Sequence, residues 1–241
     1  MPEITVLPDS TALARTVAER LDARLAAVQA DGRVPVLALT GGTIAEEIYR
    51  QVAALPDSAV DWSRVDFWWG DERYVPADSS DRNDLGVGRQ LFDQVGVDPA
   101  RVHAMPASEE SHVDLETAAA AYGAEVREHG GGSFDLVLLG LGPDGHVASL
   151  FPGFAQLDVQ DSIALGVTGS PKPPPERITL TFAALNHAEE VWFLVSGEGK
   201  ADAVARSLAE DGSVHETPAR GITVPNTTWW LDQAAASALD R

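Results

Sequence analysis

Cysteine is absent from the 241 residues of the chain, and so are long apolar runs. Without cysteine there can be no disulfide, no thiolate nucleophile and no cysteine-ligated metal site, and a reducing compartment is expected. No stretch approaches the ~18 consecutive apolar residues of a membrane-spanning helix, and the N-terminus has neither the basic start nor the apolar core of a signal peptide. We therefore predict a cytoplasmic protein that has no membrane partner.

Positive charge is scarce: 17 Lys and Arg residues stand against 37 Asp and Glu, for a formal net charge of -20. Such a charge repels nucleic acid and anionic lipid at long range, so neither is an expected partner. A solvated surface accounts for most of the carboxylates. An anionic metabolite would meet the same repulsive field, so each Arg or Lys at a candidate site is informative.

Short apolar runs alternate with amphipathic segments, which is the pattern of βαβ units. The predicted strands cover residues 4–7, 34–40, 65–69, 134–139 and 191–195, and the predicted helices cover 13–28, 44–55, 118–126 and 200–208. This alternation predicts an α/β fold with three layers, in which a mostly parallel sheet carries helices on both faces. We expect a single domain over residues 1–241, with its site at the carboxyl ends of the strands.

Two tryptophan pairs, Trp68-Trp69 and Trp229-Trp230, also fall on strand-like segments. Successive side chains of a strand point to opposite faces, so one ring of each pair is expected in the core. We assign no chemistry to these four residues.

A glycine pair lies between a predicted strand and a predicted helix, in the run Leu39-Thr40-Gly41-Gly42-Thr43. Backbone N–H groups and a helix N-terminus attract phosphate, and glycine lets the anion approach closely. The alternative is a tight turn with Thr43 as the N-cap of the helix. Both interpretations remain open from this segment alone.

Three charged residues follow the next strand, in Gly70-Asp71-Glu72-Arg73-Tyr74. Their position at a strand's carboxyl end suits a site, although the local sequence alone favours a solvated turn with a local Asp–Arg pair. The polar stretch at residues 78–83 is expected to border the same site.

The strand at 134–139 leads into Gly140-Leu-Gly-Pro-Asp144-Gly-His146. The glycines match the dinucleotide fingerprint, but Pro143 interrupts the loop and Pro152-Gly153 stops any helix after about two turns, so that interpretation is rejected. What remains is a turn that presents Asp144 and His146 at a strand end. Histidine suits proton transfer near neutral pH, and a general base is the functional hypothesis. A packed histidine that caps a turn is the alternative.

Two further cations are candidates: Lys200, between a strand and a helix in Gly197-Glu-Gly-Lys200, and Arg177, after the proline-rich run that begins at Pro171. Each could be an ordinary surface residue instead. The sequence has no Gly-x-Ser-x-Gly elbow, no His-Glu-x-x-His motif and no histidines at metal-binding spacing. Serine hydrolases and zinc proteases are thereby excluded.

Together these segments resemble those of the 6-phosphogluconolactonases. The resemblance rests on Thr40-Gly-Gly-Thr43, Gly70-Asp-Glu-Arg73, Gly140-Leu-Gly-Pro-Asp-Gly-His146-Val-Ala-Ser-Leu-Phe-Pro152, Pro171-Lys-Pro-Pro-Pro-Glu-Arg177-Ile-Thr and Gly199-Lys200, in that order. It spans nearly the whole chain. It implies the fold shared by glucosamine-6-phosphate deaminases and related sugar-phosphate isomerases.

The resemblance also implies an activity, which is the hydrolysis of 6-phosphoglucono-1,5-lactone in the oxidative pentose phosphate pathway, without cofactor or metal. It assigns His146 as the general base, with Asp144 and Asp71 as further catalytic groups. The substrate and phosphate ligands would be Gly41, Gly42, Thr43, Arg73, Lys200 and Arg177. For the oxyanion, backbone N–H groups near residues 142–145 and an arginine remain alternatives.

The expected partner is accordingly a small phosphosugar lactone, and we expect a monomer, with a weak dimer as the alternative. Two other functions stay open. One is a glucosamine-6-phosphate-type isomerase or deaminase, whose family typically carries an additional glutamate after the histidine, where this chain reads Ala148-Ser-Leu-Phe-Pro152. The other is a catalytically silent sugar-phosphate binding protein on the same fold.

Overall fold

A computed structural model describes residues 2–108, 114–129 and 131–239. The strands are β1 (Glu3–Leu7), β2 (Val36–Leu39), β3 (Asp66–Trp69), β4 (Asp71–Arg73), β5 (Phe134–Leu139), β6 (Ala164–Val167), β7 (Arg177–Leu180), β8 (Ala188–Val195) and β9 (Thr227–Asp232). The α-helices are α1 (Ser10–Ala30), α2 (Thr43–Ala53), α3 (Asn83–Val87), α4 (Asp93–Val95), α5 (Leu115–His129), α6 (Phe182–Leu185) and α7 (Ala201–Leu208).

The longest helix, α1, illustrates how the sequence specifies these elements. The carboxylate of Asp9 accepts a hydrogen bond from the N–H of Ala12 at 2.8 Å and so caps the first turn. Apolar residues then recur at helical spacing and are buried. The helix ends before Gly32, which has a φ of 79°. None of the helices in the described residues is both long and apolar enough to cross a bilayer.

The main sheet has six strands in the order β1-β9-β8-β5-β2-β3, and every neighbouring pair is parallel. All six residues of β5 are buried, as expected for a parallel strand whose sheet is covered on both faces. The predicted α/β fold, with a mostly parallel sheet flanked by helices, is confirmed.

A second sheet was not predicted. It is antiparallel, has the order β4-β7-β6, and pairs Asp71 with Thr179 and Arg73 with Arg177. The charged segment after β3 is therefore a strand, separated from β3 by Gly70 alone, and not a solvated turn. Its strands are three or four residues long, too short to leave a clear alternation in the sequence.

The tryptophan pairs are buried more completely than predicted. Trp68 and Trp69 have no exposed surface, and Trp229 and Trp230 are 3% and 6% exposed. One ring of each pair was expected in the core, and the second ring of each pair is buried as well because both faces of the main sheet are covered. Trp229 stacks on Phe193, with the ring centroids 3.8 Å apart.

Two buried tyrosines fix the carboxyl ends of neighbouring strands. The hydroxyl of Tyr49 accepts from the N–H of Thr40 at 3.2 Å and donates to its carbonyl at 2.8 Å. The hydroxyl of Tyr122 likewise accepts from the N–H of Trp69 at 2.9 Å and donates to the carbonyl of Trp69 at 3.1 Å. Burial raises the pKa of both hydroxyls, so each stays neutral and can both donate and accept. The ends of β2 and β3 are thereby held in place beside the candidate site.

Candidate active site

A cavity of about 730 Å³ opens at the carboxyl edge of the main sheet. It is lined by residues that follow β2, β3, β5 and β8. β2 and β5 are neighbours in the sheet, but the strands that follow them lie on opposite sides: β3 is on the far side of β2, and β8 is on the far side of β5. Connections that leave neighbouring strands in opposite directions open a crevice there. The cavity lies at the edge where the sequence predicted a site.

A histidine and an aspartate form a close pair at this edge. Nδ1 of His146 lies 2.5 Å from Oδ1 of Asp144. The His146 ring packs against the Phe151 ring, with the ring centroids 4.6 Å apart. Burial raises the pKa of Asp144, but its hydrogen bonds and charge interaction with His146 outweigh this and bring the pKa to about 2. Asp144 is therefore ionised near neutral pH and accepts the Nδ1–H, which leaves Nε2 of His146 with its lone pair.

Two glycines give the loop before His146 its shape. The N–H of Gly142 donates to the carbonyl of His146 at 2.9 Å, and a Cβ on Gly142 would overlap Nδ1 of His146 and Oδ1 of Asp144. Gly145 has a φ of 88°, and a Cβ there would lie 2.8 Å from Cγ2 of Thr217. These glycines accommodate the histidine–aspartate pair, which explains why the dinucleotide-like spacing occurs without a dinucleotide fold.

The glycine pair after β2 forms the start of α2. Gly42, with a φ of 105°, is the N-cap, and Thr43 is the first helical residue, so the alternative that Thr43 is the N-cap was wrong. No side chain of the described residues caps this helix end, and first-turn N–H groups have no partners within a helix. A Cβ on Gly41 would overlap the amide of Asn83, which packs directly on this loop. Gly41, Gly42 and Thr43 all line the cavity.

Arg73 reaches the cavity from β4 and is held by Asn83. Its Nη1 donates to Oδ1 of Asn83, and Nδ2 of Asn83 donates to the carbonyl of Asp71 at 3.1 Å. Nε of Arg73 is buried and has no partner among the described residues. The polar stretch at 78–83 does border the site, as predicted, through Asn83.

Behind Arg73 lies a buried carboxylate, Glu72. It accepts hydrogen bonds from the N–H groups of Arg73 at 2.7 Å, Asn83 at 2.8 Å and Asp84 at 2.9 Å. Burial raises the pKa of Glu72 to about 7, and the N–H groups of Asn83 and Asp84 and the charge of Arg82 oppose the shift. Glu72 thus joins β4 to the start of α3 and fixes Asn83, whose amide packs on Gly41.

Asp71 and Arg177 lie side by side on paired strands. Oδ2 of Asp71 accepts from the hydroxyl of Ser149 at 2.6 Å and lies 4.0 Å from Nη1 of Arg177. Nη2 of Arg177 donates to the carbonyl of Lys172 at 3.0 Å. Arg177 is only 5% exposed, so the alternative of a surface arginine was wrong. Burial lowers its pKa, and Asp71 raises it.

Two lysines face the same cavity, and they are the only lysines in the sequence. Nζ of Lys200 donates to the carbonyl of Leu141 at 2.6 Å. Lys172 lies in the proline-rich loop that Arg177 holds. Burial lowers the pKa of both ammonium groups, and Asp144 raises it in each case. A chain with a net charge of -20 therefore places both of its lysines at one site.

The predicted site residues come together around one cavity. Its lining includes His146, Asp71, Gly41, Gly42, Thr43, Arg73, Lys200 and Arg177, while Asp144 contacts it through His146. Lys172 and Ser149 were not predicted as site residues, although both lie in segments that resemble those of the family. Among the described residues, no three His, Cys, Asp or Glu side chains cluster closely enough to hold a metal ion.

The comparisons with known proteins agree with this geometry. Residues 8–230 match the family model described as glucosamine-6-phosphate isomerases/6-phosphogluconolactonase. The chain belongs to this family. It is 43% identical over 249 residues to a 6-phosphogluconolactonase of Streptomyces coelicolor, covering 100% of this chain and 95% of that one. It is 38% identical over 242 residues to the enzyme of that name from Mycobacterium tuberculosis, covering 98% of each.

Solved structures give the same result. A 6-phosphogluconolactonase from Thermotoga maritima superposes with a TM-score of 0.83 at 28% identity, covering 96% of this chain and 99% of that one. A monomeric glucosamine-6-phosphate deaminase has the same TM-score at 22% identity, covering 98% and 99%, and shows only that the fold is shared. The predicted family is confirmed, and so is the enzyme class, a carboxylic ester hydrolase, by the curated relatives.

Proposed function

We propose that this family member hydrolyses 6-phosphoglucono-1,5-lactone to 6-phosphogluconate. The observation that carries the proposal is the His146–Asp144 pair at the wall of a cavity whose other walls bear Arg73, Lys172 and Lys200. A base and a set of cations in one cavity suit an uncharged ester attached to an anionic group. The names of the full-length relatives support this substrate.

In the proposed reaction His146 acts as a general base. Its Nε2 takes a proton from water while the water oxygen attacks the lactone carbonyl carbon. When the tetrahedral intermediate collapses, the ring C–O bond breaks and the imidazolium returns the proton to the departing oxygen. Asp144 holds the ring with Nδ1 protonated and stabilises its charged form.

The phosphate of the substrate is proposed to bind between the start of α2 and the cations beside it. The N–H groups of Thr43 and Ile44 begin a helix, and Gly42 exposes its backbone there. Arg73, Lys200 and Arg177 lie around the same cavity. Binding the remote phosphate fixes the lactone next to His146 and so contributes to the rate through orientation.

The deaminase alternative has no comparable support. The segment from Ala148 to Pro152 carries no acid, and Phe151 within it packs against the His146 ring. We place the reaction in the oxidative pentose phosphate pathway, in the cytoplasm, with a monomeric protein that uses no cofactor.

The test uses freshly prepared 6-phosphogluconolactone and follows acid release at constant pH, with the spontaneous hydrolysis rate subtracted. Ammonia release from glucosamine-6-phosphate is measured in parallel. We expect lactone hydrolysis and no ammonia; ammonia release would support the deaminase, and binding without either reaction would support the silent protein.

The assigned base is tested by His146→Ala, which should lower turnover by about 100-fold or more, the usual size of general-base catalysis. A matched control is His187→Ala, since His187 is exposed and lies outside the cavity lining. This variant should keep wild-type turnover. If His146→Ala retained activity with an unchanged melting temperature, His146 would not be the base.

A further inference from the structure

Among the described residues, Lys172 differs from the other cations of the cavity in that its head group has no protein partner at all, whereas Arg73 lacks one at Nε but is bound through Nη1. Nζ of Lys200 is bound to the carbonyl of Leu141, and the guanidinium of Arg73 is bound to Asn83. Within the part of the chain that the structure describes, no hydrogen bond or ion pair is recorded for Nζ of Lys172. Its ammonium group is therefore available to a ligand.

The remaining arginines of the lining are committed as well. Arg177 donates to carbonyls of the proline-rich loop, among them that of Lys172 at 3.0 Å. Arg50 pairs with Glu47 and donates to Gln90 at 3.2 Å. The arginines are thus used to hold neighbouring side chains and loops in place. Lys172 lies on the proline-rich loop that Arg177 holds, and its own head group holds no other described residue.

The backbone at Lys172 is fixed from two sides. The hydroxyl of Ser170 accepts from the Lys172 N–H at 3.3 Å and donates to its carbonyl at 2.9 Å. Nη2 of Arg177 donates to the same carbonyl. A cation on an anchored backbone can stabilise charge without a large reorganisation when that charge develops.

The contacts of Arg177 place the backbone of Lys172 towards the reacting end of the cavity. The guanidinium that binds the Lys172 carbonyl has its Cζ 5.9 Å from the centre of the Phe151 ring, and that ring packs against the ring of His146. Among the charged groups that act on its ammonium, Asp144 has the strongest effect, ahead of Arg177 and Arg73. Asp144 is also the residue that holds the ring of His146. The ammonium of Lys172 therefore lies in the electrostatic surroundings of the proposed base.

We propose that Lys172 is a catalytic residue that stabilises the oxyanion formed at the lactone carbonyl. The inference rests on the proposed hydrolysis. When water forms its bond to the carbonyl carbon, the π electrons move onto the carbonyl oxygen, and the Lys172 ammonium pairs with that oxygen. The electrons return as the ring C–O bond breaks, and Lys172 forms no covalent bond and loses no proton.

The test compares Lys172→Met with Lys200→Met on two substrates, 6-phosphogluconolactone and glucono-1,5-lactone, which lacks the phosphate. Loss of an oxyanion donor costs about 100-fold in kcat, so Lys172→Met should lose about that factor on both lactones. Lys200→Met removes a proposed phosphate ligand and should act mainly by raising KM for the phosphorylated lactone, so that on glucono-1,5-lactone it should lose much less kcat than Lys172→Met does. Lys172→Arg, which keeps a positive charge but changes its geometry, should recover part of the lost kcat.

The outcomes separate this inference from the proposed function. If the wild type does not accelerate lactone opening above its spontaneous rate, the proposed function itself fails. If the wild type is active and Lys172→Met changes only KM for the phosphorylated lactone, Lys172 binds phosphate and the inference is overturned. Equal kcat in Lys172→Met and wild type also overturns it. Melting temperatures of all variants check that each one folds.

Discussion

The fit of Gly142 against the histidine–aspartate pair allows a direct test of the site geometry. In Gly142→Ala the new Cβ would coincide with the hydrogen bond between Nδ1 of His146 and Oδ1 of Asp144. Ordinary Cβ contacts begin at 3.4 Å, so the imidazole must retreat by roughly 1 Å or more, and a displacement of that size can cost about 100-fold in rate. No left-handed backbone angle is recorded at this glycine, so the main chain tolerates alanine.

The measurement is kcat for lactone hydrolysis with fresh substrate, together with the melting temperature. We expect Gly142→Ala to lose about 100-fold in kcat while its unfolding free energy falls by about 1–3 kcal/mol, the usual cost of overpacking. The matched control is Gly70→Ala, because the nearest atom to a Cβ there is the Leu39 carbonyl oxygen at 3.7 Å, an ordinary contact. A Gly142→Ala enzyme within about threefold of the wild type would refute the assignment of this pair to catalysis.

Two further predictions concern buried polar groups. The pKa of Glu72 is raised from 4.5 to about 7, so the folded state binds its proton more tightly. The unfolding free energy should therefore fall by up to about 3 kcal/mol as pH rises from about 4.5 to about 7, and urea titrations should show this slope in the wild type but not in Glu72→Gln. Tyr49→Phe and Tyr122→Phe should each destabilise the protein by about 1–3 kcal/mol. Only Tyr49→Phe should also raise KM, because Thr40 lines the cavity and Trp69 does not; equal KM values in both variants would contradict this.

The parallel sheet could be predicted from sequence because its central strands are buried on both faces. Each must be a continuous apolar run, and the run at 134–139 coincides with β5. The amphipathic pattern of α1 is equally local, since it follows from residues three and four apart. The elements predicted correctly, such as β5 and α1, are those that a short stretch of sequence specifies without its tertiary contacts.

The second sheet could not be predicted in this way. β4 pairs with β7, and the partners Asp71 and Thr179 lie more than a hundred positions apart in the sequence. Strands of three or four residues that carry charges leave no periodicity to detect. Their pairing depends on the assembled fold, which brings Ser149 onto Asp71 and Arg177 beside it.

In the site, too, locally encoded features could be predicted and features that depend on the assembled fold could not. Asp144 and His146 were both selected because they belong to one turn, and the structure shows that they pair. Lys172 was passed over although a usable signal was present, since the sequence contains only two lysines and both fall in segments selected for their resemblance. Asn83 fell inside the stretch expected to border the site, but its role depends on the approach of Gly41 from β2, which only the fold provides.

The burial of the tryptophans decides how this protein can be observed in solution. All six indoles are at most 6% exposed, and among the described residues none of them lines the cavity. Their fluorescence should therefore be emitted from an apolar environment and shift to longer wavelength when the core opens. Since none of these tryptophans lines the cavity, we expect a ligand that fills it to leave the surroundings of the indoles unchanged. Intrinsic fluorescence is accordingly suited to unfolding measurements on every variant above. Ligand binding should instead be followed by calorimetry or by activity assays.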